Sequence, residues 1–109
     1  MHMNRLHAGT IQASAGVPLQ DAQAAVIMIH GRGDSARGIL CLADVLPVDG
    51  VAFVAPEATN NTWYPHSFLA PLEHNQPWLE SALHSIGKVL TEVQAAGIPA
   101  ERTALLGFS

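Results

Sequence analysis

The sequence predicts an α/β protein with a mostly parallel sheet and flanking helices, on three observations. Two short runs, "AAVIMIH" (Ala24 to His30) and "VAFVA" (Val51 to Ala55), are continuously apolar, as strands buried on both faces are. The segments between and after them carry apolar residues at helical spacing. A third apolar run, "TALL" (Thr103 to Leu106), completes the order strand, helix, strand, helix, strand, the unit of a parallel sheet with right-handed crossovers. The 109 residues suffice for one domain with a buried core, and no repeat or linker divides them.

Each element has its own signal. Residues 1–24 are small and polar, and the alternation of Leu6, Ala8, Thr10 and Gln12 is compatible with one or two short edge strands. The Ala24–His30 run has glycines behind it and reads as a strand buried on both faces. "SARGILCLADVL" (Ser35 to Leu46) sets Ala36, Ile39, Leu40, Ala43 and Leu46 along one stripe of a helix, with Asp34 or Ser35 as its N-cap. "PVDG" turns the chain into Val51–Ala55, and Pro56 closes that strand. An irregular stretch, Pro56 to Asn75, follows. Pro77 then suits the first turn of a helix whose core-facing residues are Leu79, Ala82, Leu83, Ile86, Leu90 and Val93. Gly97 fits the left-handed position after that helix, Ile98 caps it with an apolar contact, and Pro99 prevents continuation. "TALL" reads as the third buried strand.

Composition excludes several function classes. The net charge is −4 and Lys88 is the single lysine, so the basic face that nucleic-acid phosphates demand is missing. Cys41 is the single cysteine, which rules out a disulfide framework or a cysteine-based zinc site. His66, His74 and His84 stand eight and ten residues apart, which matches no helical ligand pair, so they read as surface or loop histidines and no metal or cofactor is expected. The start "MHMNRLHAGT" lacks the apolar run of a signal peptide and no stretch approaches a membrane span, so the cytoplasm is the expected location. A homodimer is compatible with these bounds. The tripeptide Arg32–Asp34 matches an adhesion motif, but it sits in a tight turn and is read as coincidence.

In parallel sheets, chemistry gathers beyond the carboxyl ends of the strands. Three segments leave such ends here, "HGRGDS", "PEATNNTWYPHSF" and "GFS", and they are expected to converge on one crevice. Two mechanisms compete for the first. Gly31, Gly33 and Ala36 satisfy a dinucleotide-binding fingerprint, with Glu57 as a ribose ligand. Against it, Asp34 would bring a negative charge to the place where a pyrophosphate must sit. Alternatively, a glycine-rich turn offers a backbone N–H, that of Arg32, to the oxygen that becomes negative in acyl transfer.

"IHGRGDS", "APEATNNTWYPHSF", "NQPWLESAL" and "LLGFS", in that order, resemble the phospholipase/carboxylesterase family of α/β-hydrolases, which includes acyl-protein thioesterases and small bacterial esterases. The resemblance covers most of residues 24–109. It implies that the chain is the N-terminal, incomplete segment of an α/β-hydrolase domain acting on a small-molecule carboxylic ester, thioester or lysophospholipid. Ser109 matches the nucleophile of a G-F-S-x-G elbow that Gly107 opens. Arg32 matches the oxyanion-hole residue, and the Trp63-Tyr64-Pro65 loop matches a segment beside the catalytic pocket. Family thioesterases often carry an aliphatic residue where Arg32 stands. The family order Ser, Asp, His implies that the acid and histidine follow Ser109, so the 109 residues alone are expected to be inactive. A non-catalytic binding module on the same fold is the alternative. Within the site, His30 reads as structural and Asp34 as a helix cap. The Arg32 side chain is expected to pair with Asp34 or Glu57, or to steer acidic or polar leaving groups. Trp63, Tyr64 and Phe68 pack the loop and form one wall of an apolar acyl pocket.

Overall fold

A computed structural model describes residues 6–46 and 48–108. The apolar run Ala24–Ile29 is strand β2, which lies inside a four-stranded mixed sheet. It pairs in parallel with β3 (Val51–Ala55) on one side and β4 (Thr103–Gly107) on the other. β1 (Ala13–Gly16) runs antiparallel along the far side of β3, giving the order β1-β3-β2-β4. Parallel neighbours cannot be joined by a tight turn, so helical segments make the crossovers. The register sets Ile27 beside both Val54 and Leu105, and Ile29 beside Gly107, so the parallel strands end at one level.

Two apolar layers sandwich the sheet. Side chains alternate across a strand, so Ala25, Ile27 and Val54 pack with Val89 and Val93 of helix α2 (Trp78–Ala95) and with Ile98. Met28, Phe53 and Ala55 pack with Ala36, Ile39 and Leu40 in the other layer. Burying one such Ile, Val or Phe side chain stabilises the fold by about 1.5–3 kcal/mol.

Four expectations are corrected. The segment from Ser35 to Leu46 is not one α-helix: only Ala36–Ile39 (α1) is α-helical, and Leu40–Val45 winds as a 3₁₀ helix. Apolar residues three apart, Leu40, Ala43 and Leu46, suit a 3₁₀ turn as well as an α-helical stripe, and Leu46 ends exposed in extended backbone. Second, the residues α2 buries are Ser81, Ala82, Ser85, Val89 and Val93, while Leu83 is 64% exposed. Residues 6–9 lie against this face: His7 N–H donates to Ser81 Oγ at 3.1 Å, and Gly9 packs on Ser85 and Lys88. Small serines let that segment approach closely. Third, the edge strand expected within residues 1–24 is present as β1, but it starts at Ala13, after the Leu6 to Gln12 alternation, although Gln12 N–H already bonds Ala55 O. Fourth, β4 is the sheet edge rather than a buried strand. Leu105 is 59% exposed and Leu106 is exposed too, because the two layers close over β2 and β3.

Other expectations hold locally. Pro77 stands immediately before α2 as its N-cap residue, and Gln76 Oε1 accepts the Glu80 N–H. At the far end Gly97 has φ 101°, its N–H bonds Gln94 O, and Ile98 N–H bonds Val93 O, the paired bonds that close a helix with a left-handed residue. The turn before β3 is seen at residues 48–50, and Pro47 lies outside the described residues. Among the described residues, no helix is long and apolar enough to cross a membrane.

Two stability predictions follow from this packing. Ser85 Oγ is buried with no hydrogen-bond partner among the described residues, so Ser85→Ala is expected to raise stability by about 1 kcal/mol. Gly97→Ala forces a Cβ into left-handed backbone and is expected to cost about 1 kcal/mol. Thermal unfolding of the complete protein measures both.

Candidate active site

The turn after β2 is built by bonds to its backbone. Asp34 N–H donates to Gly31 O at 3.1 Å, closing a four-residue turn, and Gly33 takes φ 82°, a conformation that favours a residue without Cβ. The loop after β3 braces it: Gly33 N–H donates to Asn61 O and Asn61 Nδ2 donates to Asp34 O, both at 2.8 Å. The Arg32 N–H, between these bonded groups, has no acceptor among the described residues. That amide is left available to donate to a bound group.

The carboxylates beside the turn are committed to the start of α1. Ser35, not Asp34, is the N-cap, its Oγ accepting the Gly38 N–H at 2.9 Å. Asp34 Oδ1 instead accepts the Ser35 N–H at 2.8 Å, and Glu57 Oε1 accepts the Ala36 N–H at 3.1 Å. The amides that a dinucleotide phosphate would use therefore already hold side-chain oxygens, and Glu57 serves the helix start instead of a ribose. Arg32 pairs with neither acid. Its Nη2 donates to His66 O at 3.0 Å and its Nη1 approaches Pro65 O at 3.5 Å, while the guanidinium lies 5.5 Å from the centre of the Tyr64 ring. Both carboxylates are already taken up by amides at the start of α1, and Arg32 bonds the carbonyls of the wall loop instead.

His30 and Trp63 form the floor, and a second buried histidine, His7, backs Trp63 from outside the cavity. His30 is fully buried, and its Nδ1 meets Gly31 O at 2.7 Å while its Nε2 meets the Ala58 N–H at 3.0 Å. A carbonyl only accepts and an amide only donates, so the proton sits on Nδ1 and both ring nitrogens are occupied. Trp63 Nε1–H donates to His30 O at 2.8 Å, and the two rings stack with centroids 5.1 Å apart. His7, which sequence reasoning did not single out, is buried on the other side. Its Nε2 donates to Trp63 O at 2.7 Å and its Nδ1 accepts the Thr59 N–H at 3.2 Å. Burial holds the His7 pKa below the ordinary 6.5, although the Trp63 carbonyl favours the protonated ring.

The turn and the wall loop border a half-open cavity of about 630 Å³ at the carboxyl ends of β2 and β4. All three segments reach it: His30, Gly31 and Arg32 from the turn, Trp63, Tyr64 and Phe68 from the loop, and Phe108 after β4. Phe108 N–H continues the ladder to Ile29 O at 3.1 Å. Gly107 ends β4, and Gly33 and Asp34 brace the turn rather than line the cavity. Ser109 lies outside the described residues. His66 and His74 are exposed with rings 6.1 Å apart, and no group of three His, Cys, Asp or Glu among the described residues could hold a metal ion. Asn75 was also missed by sequence reasoning: it is buried, and its amide bonds the backbone of His66 and Ser67. No periodic signal marks such a residue; only its place between irregular loop and helix start hints at it.

Comparison with known proteins gives consistent matches. The profile of the phospholipase/carboxylesterase family matches residues 12–109. Acyl-protein thioesterase 1 of Yarrowia lipolytica is 32% identical over 112 residues, covering 85% of this chain and 49% of its own. The crystal structure of a phospholipase/carboxylesterase from Dyadobacter fermentans is 51% identical with a TM-score of 0.89, covering 94% of this chain and 49% of that one. The crystal structure of esterase PE8, 22% identical, shares the fold with a TM-score of 0.71, covering 88% of this chain and 50% of its own. The chain thus spans about half the length of these relatives, and its sheet and helices correspond to the N-terminal part of an α/β-hydrolase fold.

The bonds of His7 predict a pH dependence. Its unfolded form takes up a proton near pH 6.5 and its folded form only at lower pH, so its contribution is full above that value and falls as pH drops below it. Compared with His7→Gln by thermal unfolding, the wild type is expected to be the more stable at about pH 7.5, with the gap narrowing towards about pH 5. A gap that stays constant contradicts the neutral, buried imidazole.

Proposed function

The chain belongs to the phospholipase/carboxylesterase family, and from that premise we propose that it is the N-terminal portion of a serine hydrolase of carboxylic esters or thioesters. The observation that carries this reading is that the β2 turn, the wall loop and the residue before Ser109 all line one cavity. In this reading Ser109 Oγ attacks the acyl carbon and passes its proton to a histidine. The carbonyl oxygen, now negative, accepts the free Arg32 N–H. Collapse of the tetrahedral intermediate expels the alcohol or thiol, which leaves with that proton, and water then releases the acid from the serine by the reverse proton path. The apolar wall of Tyr64, Phe68 and Phe108 would take the acyl chain.

The histidine and its acid are assigned to residues that follow Ser109. His30 is the histidine at the cavity, and both of its nitrogens are already bonded to backbone. His7 is occupied in the same way. The relatives, about twice as long, have room for the missing pair. Without that pair a serine hydroxyl stays a weak nucleophile, so the 109 residues alone are assigned no turnover.

The test is chemical. A fluorophosphonate is expected to label the complete protein at Ser109, and Ser109→Ala to lower kcat on p-nitrophenyl butyrate by roughly four orders of magnitude or more. Labelling at another residue, or full activity in the alanine variant, overturns the assignment.

A further inference from the structure

Asn75 is a buried polar residue that the proposed chemistry does not use. It is 3% exposed and ends the 3₁₀ turn Leu72–Asn75, just ahead of α2. Its carboxamide grips two consecutive residues of the wall loop: Oδ1 accepts the His66 N–H at 2.6 Å, and Nδ2 donates to Ser67 O at 3.2 Å. One donor and one acceptor on a rigid plane fix a peptide in both position and twist. Arg32 holds the other face of the same residue, through Nη2 to His66 O. His66 is therefore suspended between the head of α2 and the turn that carries the free amide. The next two residues, Ser67 and Phe68, line the cavity. Apolar packing does little to hold this stretch, since Phe68 is 77% and Leu69 81% exposed. What fixes the wall is polar, and Asn75 supplies two of its bonds.

We propose that Asn75 is a positioning residue that sets the width of the cavity and thereby the acyl-chain length the enzyme accepts. This rests on reading the cavity as an acyl pocket. Losing the two bonds frees Ser67 and Phe68 to shift, which weakens contacts with a long chain that reaches the wall and spares a short chain that does not.

The test uses the complete protein with Asn75→Ala and Asn75→Asp. The aspartate keeps the shape and the His66 bond but cannot donate to Ser67, so it serves where the alanine variant does not fold. Two readouts are taken: KM and kcat for p-nitrophenyl acetate and octanoate, and calorimetric affinity for octanoate. For Asn75→Ala, KM for the octanoate ester is expected to rise about tenfold more than for the acetate ester, and octanoate affinity to fall about tenfold, with Asn75→Asp between. Equal losses on both esters mark a merely structural role and overturn the proposal, as does unchanged octanoate affinity in both variants. A wild type that binds no octanoate overturns the acyl pocket and this assignment together. Octanoate binding that weakens in the variants, with no hydrolysis by any form, sinks the serine reading and leaves the role of Asn75 standing.

Discussion

The hydrogen bonds of His30 hold the candidate site in one piece. The residue sits where β2 ends, and from there its ring reaches forward to Gly31 O and across to the Ala58 N–H after β3, while its own carbonyl takes the Trp63 indole. Each of these groups is out of water, and a buried donor or acceptor left without a partner costs about 1–3 kcal/mol. One residue therefore fixes the relative position of two segments that are distant in sequence, the turn after β2 and the loop after β3. The turn that carries the Arg32 amide and the loop that carries Tyr64 and Phe68 inherit their geometry from it.

Above that anchor the architecture changes character. The floor is aromatic and packed, with Trp63 between His7 and His30. The wall is an irregular loop with exposed side chains, held by side-chain contacts to its backbone from Arg32 and Asn75. Arg32 joins the two: its backbone stands in the turn and its guanidinium in the wall. A displacement of the wall would be felt by the turn that carries the Arg32 amide. In the proposed reading, that coupling suits donors that must be in position before the reaction starts.

How much of this was legible depends on what carries the signal. β2 and β3 were plain because continuous apolar runs have few other uses, and the end of α2 was plain because Gly97, Ile98 and Pro99 each have a positional reason. The convergence of three segments followed from the rule that parallel strands present their carboxyl ends together, and the cavity gathers residues from all three. The buried face of α2 was hidden, since Ser81 and Ser85 count as polar in any periodicity yet are buried beside the segment holding His7 and Gly9. The 3₁₀ winding after Ile39 was hidden because a spacing of three fits both helices. The acceptors of Arg32 and the grip of Asn75 were invisible for a deeper reason. They are contacts from side chain to distant backbone, and backbone carries no residue identity for a pattern to exploit.

The sandwich of Trp63 has a use beyond packing. The 109 residues hold two indoles, Trp63 and Trp78, and both touch the imidazole of His7, at 5.1 and 5.6 Å between ring centres. Imidazolium quenches indole emission far more strongly than neutral imidazole does. Since burial keeps the His7 ring neutral, the emission of these two indoles is quenched only once acid protonates it in place, so the pair reports the charge of a buried histidine without a label.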